Sequence, residues 1–445
     1  MYTSEISSDN LNKLKATTAR FSDQHIKDYQ KSVEEIISNI KSNGDKALAE
    51  YSLKFDNFKI DLACDKPFNI KLDLINKPNL NNLSPEIKAA LLNAKARIEK
   101  FHEEEYNNSK FAKGWSYTGP LNEKLGVKYD PLGAVAVYVP GGKAPLVSTV
   151  LMTVIPAKTA GVKRIVLVSP PPISTGILAA AELLEIEEIV QAGGAQAVAA
   201  VAHGTQSIKA VDKIVGPGNI YVSLAKKIVF GKIGIDGIYG PSELAILADA
   251  FAKPKQIAAD LLSQLEHGSG LESVLLVSTD TKLNSQVYDY IYQELEDLLA
   301  QKLKTEKQIE TIKSSLNQHS ALLVAKDLKE AIAIINYYAP EHLELCVNNA
   351  RDLIPEFKTA GAIFVGNNSC ESLGDYLAGP SHCLPTSGSA RFSSGLQCHD
   401  FVRKTSIIDF SESTELESIS KDVALIARLE ELEMHARAME YRKNG

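Results

Sequence analysis

Two pairs of residues in this sequence have types and spacings suited to metal and proton chemistry. In QLEHGSG (264–270), Gln264 and His267 stand three apart at the end of a helical pattern, so both side chains share one face. An amide oxygen and an imidazole arranged this way suit a Zn2+ ion. The same string also suits a helix that ends at a glycine, with His267 complementing the dipole at its C-terminus. In YAPEHLEL (338–345), Glu341 and His342 are adjacent behind Pro340. Both side chains exchange protons near neutral pH when their surroundings tune them, so the pair can supply a general acid and a general base. A helix start with Glu341 in its first turn accounts for the string equally well.

Three further groups carry chemistry. ESLGDYLAGPSHCLPTSG (371–388) contains Asp375 and His382 in a stretch rich in Gly, Ser and Pro. Asp375 can complete a metal shell and His382 can touch a substrate, although a surface loop with two incidental polar residues fits too. LEELEMHARAMEYR (429–442) contains Glu430 and His435. Five residues is about 140° around a regular helix, so these two cannot face one site from it. The glycine turns VPGGKAP (139–145), AGGAQA (192–197) and GPGN (216–219) each separate a strand from a helix. Backbone N–H groups there can hold an anion or a cofactor phosphate, or the glycines can simply serve tight turns. None matches GxGxxG, so the ordinary dinucleotide fingerprint is absent. Taken separately, the motifs support an α/β enzyme with a Gln/His/Asp metal site.

The elements that must hold these residues read as two parallel sheets. GAVAVYVPGG (133–142) reads as a buried strand ending in a glycine turn, with a helix over 147–160. RIVLVSP (164–170) is the next strand, EIVQAGGAQAVAAVAHG (188–204) is strand, turn and helix, and VDKIVGPGNIYVSLAKKIVF (211–230) repeats that layout. Repetition of this kind implies a parallel sheet with crossover helices. After Tyr239-Gly240-Pro241 a second set begins, with strands at 243–249, 273–279, 321–326 and 360–366 and helices over 254–267, 282–310 and 327–339. Upstream, 26–55 and 84–105 carry helical patterns, the latter opening on a Ser84 cap with Pro85 at the first helical position; both read as surface helices or an arm. Downstream, a short strand (405–410) precedes a terminal helix over 420–440.

Composition narrows the function class. A chain of 445 residues, 44% hydrophobic and 23% charged, buries a sizeable core without disulfides or structural metals. A net charge of −7, spread along the chain, lacks the basic stripe that a nucleic-acid partner requires. The first residues hold no apolar signal core, and no apolar run approaches the roughly 18 residues of a membrane span, so neither is expected. The five cysteines, Cys64, Cys346, Cys370, Cys383 and Cys398, are odd in number and form no CxxC pair. That usage fits a reduced cytoplasmic protein without a zinc–cysteine module.

Read together, YVPGGKAPLVSTVLMTVIPAKTAGV (138–162), GGAQAVAAVAHGT (193–205), VDKIVGPGNIYV (211–222), GPSEL (240–244), LLSQLEHG (261–268), YAPEHLEL (338–345), GAIFVGNNSCESLGDYLAG (361–379) and HCLPTSGSARFSSGL (382–396) resemble the histidinol dehydrogenase family in order and spacing. The resemblance covers most of the chain; the first hundred residues are less distinctive. It implies two Rossmann-like parallel-sheet domains with an N-terminal helical arm and a small C-terminal tail domain. The expected division is an arm at 1–27, a discontinuous first domain at 28–137 and 243–392, an NAD-binding domain at 138–242, and a tail at 393–445 that reaches the site of a dimer partner.

The resemblance also implies an activity: two successive NAD-dependent oxidations of L-histidinol to L-histidine through the aldehyde, the last steps of histidine biosynthesis. Zinc ligands correspond to Gln264, His267, Asp375 and His435, with His435 donated within a homodimer. The acid–base pair corresponds to Glu341 and His342, NAD contacts to Tyr138, Gln196 and Asn219, and further substrate contacts to Ser242, His382 and Glu430. Around Glu430 and His435 the family often carries a glycine and an alanine, whereas this chain has Glu431 and Met434. A related zinc- and NAD-dependent dehydrogenase of another small alcohol is the nearest alternative. A binding protein that keeps the fold without the activity is a second, against which the intact Glu341-His342 pair speaks.

Overall fold

The computed structural model describes residues 2–5, 23–64, 67–70, 80–141, 145–413 and 416–442. Contacts divide the chain into a larger unit, Met1–Glu103 with Leu132–Phe401, and a smaller one, Glu104–Pro131 with Val402–Gly445. The strands, in chain order, are β1 (Tyr2–Glu5), β2 (Asn69–Ile70), β3 (Trp115–Thr118), β4 (Lys124–Pro131), β5 (Ala134–Tyr138), β6 (Arg164–Ser169), β7 (Glu188–Gln191), β8 (Lys213–Val215) and β9 (Gly234–Ile235). They continue with β10 (Glu243–Ala248), β11 (Ser273–Ser278), β12 (Ala321–Val324), β13 (His342–Cys346), β14 (Ala362–Val365) and β15 (Val402–Asp409).

The first sheet of the larger unit has the order β2-β7-β6-β5-β8-β9. All its pairs are parallel except β2 with β7. Runs such as Val135-Ala136-Val137 are buried without alternation, as suits strands covered on both faces. Helices α1 (Asp23–Asn43) and α2 (Asp45–Asp56) supply part of that cover. Val33, Ile36, Ile40, Ala47 and Leu48 are buried in one core with Val166, Val190, Val198 and Val201, so 26–55 forms surface helices that bury one face in the core and is not a detached arm. The sequence division groups these helices with 243–392; their packing is with the 134–235 sheet. Helix α3 (Pro85–Asn107) follows, and Ser84 Oγ accepts from the Ile87 N–H at 3.3 Å as a cap. Then come α4 (Val147–Thr159), α5 (Thr175–Leu183), α6 (Gly194–His203) and α7 (Ile220–Val229). Strand order runs outward from β5 through β6 to β7, then restarts on the other side with β8. The carboxyl ends of β5 and β8 therefore border the crevice where open α/β sheets bind ligands.

The second sheet, β1-β12-β11-β10-β13-β14, is parallel throughout. Of the expected N-terminal arm, residues 2–5 form its edge strand, and 6–22 lie outside the described residues. One face is covered by α8 (Pro254–Leu265), α9 (Thr281–Ala300) and α10 (Glu306–His319), the other by α11 (Leu328–Tyr338). The single helix expected over 282–310 is two, because Thr305 and Gln308 form a reciprocal capping box that starts α10. Strand β13 replaces the helix start that YAPEHLEL allowed, with Leu244 of β10 opposite His342. A short helix, α12 (Glu371–Tyr376), follows β14.

In the smaller unit, β15, β4 and β3 form an antiparallel sheet. The expected continuous terminal helix is α13 (Leu416–Leu429) and α14 (Glu433–Glu440), broken at Glu430-Glu431-Leu432, with Glu431 at φ 61°. Glu430 and His435 therefore do not share one regular helix, and the angular separation that such a helix imposes does not apply to them. Leu425, Ile426, Leu429 and Met434 leave an exposed apolar surface on this pair.

Candidate active site and metal centre

The acid–base pair sits at the amino end of β13, beside the amino end of its neighbour β10. Glu243, the first residue of β10, holds both groups through its backbone. Its N–H donates to Glu341 Oε2 at 2.9 Å, and its carbonyl pairs with His342 Nδ1 at 2.9 Å. A carbonyl only accepts, so His342 carries its proton on Nδ1 and presents a bare lone pair at Nε2. Nε2 faces Asp375 Oδ1 at 3.9 Å. Burial pushes the His342 imidazole below its ordinary value, which keeps it neutral and able to accept a proton. Burial also pushes the Glu341 carboxyl well above its ordinary value, reinforced by Glu243, Asp375 and Glu371.

Helix α8 delivers Gln264 and His267 to the same amino end of the sheet, since helices between parallel strands run back against them. Gln264 is fully buried, and neither amide atom has a hydrogen-bond partner. A buried amide left unmatched costs about 1–3 kcal/mol. His267 lies one turn on, past the helix end, and Gly268 follows at φ 80°. Ligand atoms of His267, Glu371 and Asp375 lie within 4.8 Å of one another. Glu371 was not among the residues singled out from the sequence. Its spacing of four from Asp375 on one helix is the signal that identifies it.

Behind this cluster the acids continue. Ser263 Oγ approaches Glu371 Oε2 at 3.1 Å, and the Glu371 N–H donates to Glu344 Oε1 at 2.7 Å. Burial raises Glu371 to about 7 and Asp260 to about 6, and raises Glu344 and Asp375 as well. Among the described residues no lysine or arginine pairs with Glu341, Glu344, Glu371 or Asp375. Buried acids without a cationic partner, next to an unmatched amide and an imidazole, form a donor set that suits a divalent ion of the zinc class.

His382 belongs to this region through Asp375, whose backbone carbonyl accepts from His382 Nδ1 at 3.1 Å. Its Nε2 meets Thr149 Oγ1 at 3.1 Å, so both ring nitrogens are engaged. Burial lowers this imidazole to about 4. Ser242 immediately precedes Glu243, and its carbonyl accepts from the Ser273 N–H at 3.1 Å. Glu430 and His435 belong to the smaller unit, the first in the break between α13 and α14 and the second in the first turn of α14.

Tyr138, Gln196 and Asn219 line one cavity of about 780 Å3 at the carboxyl ends of β5 and β8. Pro140, Gly141, Gly194 and Gly218 line it too, and His267, Gly268 and Ser269 bring the metal-side loop to it. A cavity of this size, apolar with a few polar groups, fits an extended cofactor. The glycine turns contribute shape more than anion contacts. The Gly194 N–H donates to Tyr138 Oη at 3.0 Å, and Asn219 Oδ1 accepts from the first N–H groups of α7 at 3.0 and 3.2 Å. Residues 142–144 of the VPGGKAP turn lie outside the described residues.

Among the described residues no helix is long and apolar enough to cross a membrane. A family model for histidinol dehydrogenase matches residues 19–443. The histidinol dehydrogenase of Aquifex aeolicus is 42% identical over 418 residues, covering 94% of this chain and 93% of its own. That of Bacillus subtilis is 43% identical over 425 residues, 95% of each chain. The crystal structure of histidinol dehydrogenase from Elizabethkingia anophelis matches with a TM-score of 0.88 at 34% identity, covering 100% of this chain and 98% of that one.

Proposed function

The chain belongs to the histidinol dehydrogenase family, and from that premise we propose that it oxidises L-histidinol to L-histidine in two NAD-dependent steps of histidine biosynthesis. The observation that carries this reading is the neutral His342, its Nε2 lone pair turned towards Asp375 in the cluster of exposed His267, buried Glu371 and half-buried Asp375. Gln264, His267 and Asp375, with His435 of the partner subunit, would hold zinc, which would supply positive charge to orient the substrate's nitrogen atoms, and bound NAD would supply the hydride acceptor.

The protein's own residues move the protons. His342 Nε2 takes the hydroxyl proton in the first oxidation. Glu341 takes a proton from the water that adds to the aldehyde, and His342 acts again in the second oxidation. A carboxyl raised by burial is, once ionised, a stronger proton acceptor than an exposed one, which suits Glu341 to that role. The backbone of Glu243 fixes both groups, so their mutual position is set before substrate arrives. Ser242, His382 and Glu430 contact the substrate, His382 by exchanging its Thr149 hydroxyl for a substrate group.

NAD would occupy the cavity lined by Tyr138, Gln196 and Asn219, which supports 138–242 as the main cofactor-binding segment, with Ser32, Ile36, Phe55, Asp56 and His267 contributing from outside it. The tail at 393–445 completes the site of a second copy in a homodimer. The exposed Leu425, Ile426, Leu429 and Met434 support that role, since a surface of this kind is stabilised when covered. The compartment is the cytoplasm. Counting NADH formed against L-histidinol consumed tests the activity: two per substrate is expected. One per substrate, or turnover of simple diols with L-histidinol inert, assigns the chain to another alcohol.

A further inference from the structure

We propose that the buried ion pair of Lys226 and Asp236 is a positioning device for the cofactor turn and sets the affinity for NAD; this rests on assigning the cavity to NAD. Lys226 Nζ and Asp236 Oδ1 are 2.5 Å apart, and each side chain is 1% exposed. Besides the Gly237 N–H, which donates to Asp236 Oδ1 at 2.8 Å, the pair bonds to one residue from both sides. Asp236 Oδ2 accepts from the Gly216 N–H at 2.6 Å, and Lys226 Nζ donates to the Gly216 carbonyl at 2.9 Å. The pair therefore grips both backbone polar groups of the residue that opens the turn Gly216-Pro217-Gly218-Asn219. Gly218 and Asn219 line the cofactor cavity directly.

The first residue of the turn needs such a grip because it has no side chain of its own to hold it. Gly216 stands at φ 109°, and a Cβ there would come within 2.2 Å of the Tyr138 carbonyl oxygen, so no side chain can anchor it. Apolar residues of similar volume often fill a core as well as a buried ion pair does, so packing alone does not explain these charges. Their bonds explain them: they fix a polar backbone segment that borders a ligand.

The same network extends to the proton-transfer groups. Lys226 Nζ lies 4.6 Å from the centre of the Tyr239 ring, and Ser223 of α7 donates to the Tyr239 carbonyl at 2.7 Å. Next in the chain, the Gly240 N–H donates to Thr386 Oγ1 at 2.6 Å, and the Ser387 N–H donates to Glu243 Oε1 at 2.9 Å. Glu243 holds Glu341 and His342. A displaced cofactor turn is thus tied, through contiguous bonds, to the groups that must face the reacting carbon.

The test is NADH titration of the zinc-loaded full chain and of Lys226→Met/Asp236→Leu, with zinc content and melting temperature measured alongside. The double variant leaves no lone buried charge, so it is expected to stay folded and keep its zinc. Its NADH dissociation constant is expected to rise about tenfold, the loss of one well-placed anchor. Asp236→Asn, which keeps the size and one acceptor for Gly216, is expected to give a smaller rise of about threefold. Wild-type affinity in either folded variant overturns the proposal. Failure of the wild-type chain itself to bind NADH overturns instead the assignment of the cavity.

Discussion

In the larger unit, Glu341, Glu344 and Glu371 lie buried with half-buried Asp375 beside them, all raised above ordinary carboxyl values, with no lysine or arginine paired to them among the described residues. In the smaller unit, Arg428, Glu433, Arg437 and Glu440 lie exposed and close on one another at 2.9–3.0 Å. There the arginines hold Glu433 down to about 2. Both regions are dense in charge, but only the second is complete by itself. The first carries a desolvation cost that a few protein hydrogen bonds answer only in part, and a fully buried Gln264 with no amide partner adds to it. Unanswered polar groups of this kind mark a region built for something that binds there.

That contrast can be broken most severely at the proton-transfer groups. The Glu341→Gln/His342→Asn double variant is expected to lose about 10²–10⁴-fold or more in kcat while binding NADH normally, checked by steady-state kinetics with titration. Retained NADH production would mean that neither residue moves a proton in turnover. Next comes Gln264→Leu, which replaces an unmatched buried amide with an apolar group. The metal-free variant is expected to be more stable than metal-free wild type by about 1–3 kcal/mol in urea unfolding, although it binds zinc more weakly. A destabilised variant would mean that Gln264 has partners in the metal-free protein.

A pH series sharpens the comparison further. Folded carboxyls held above their ordinary values keep protons that the unfolded chain has released. These carboxyls therefore contribute a term that is most favourable at low pH and declines as pH rises from the ordinary glutamate value of 4.5 through about 7, where Glu371 titrates, while the lowered imidazoles of His342 and His382 act in the opposite direction. Glu371→Gln should remove part of the carboxyl term, so denaturant midpoints of the metal-free variant that follow pH as those of metal-free wild type do would contradict the raised value. The smallest effect is expected in the other cluster. Glu433→Gln should shift the melting temperature slightly, and the shift should shrink in high salt, because exposed ion pairs are screened.

Much of the fold was legible in the sequence, and what was not has physical causes. Unbroken apolar runs announced β5, β6, β10 and β11, because strands buried on both faces need no polar residue. Strand β13 escaped because His342 and Glu344 interrupt its apolar pattern, and both are buried for reasons of chemistry and not of packing. The break between α13 and α14 had no glycine or proline to mark it; Glu431 takes a left-handed conformation that most side chains avoid. Helices α1 and α2 looked superficial because long polar side chains flank narrow apolar stripes. At the site, Gln264, His267, Glu341 and His342 could be named from type and spacing. The lone pair of His342, the unmatched Gln264 and the participation of Glu371 depend on distant segments meeting, and only coordinates reveal them.

One divalent ion, on this reading, completes both the buried acids and the unmatched amide. Isothermal titration of the metal-free chain with Zn2+ tests that most directly. One tight site per chain is expected, with an affinity about 10–100-fold lower in Gln264→Leu. No saturable binding in the wild type, or equal affinity in the variant, would contradict it.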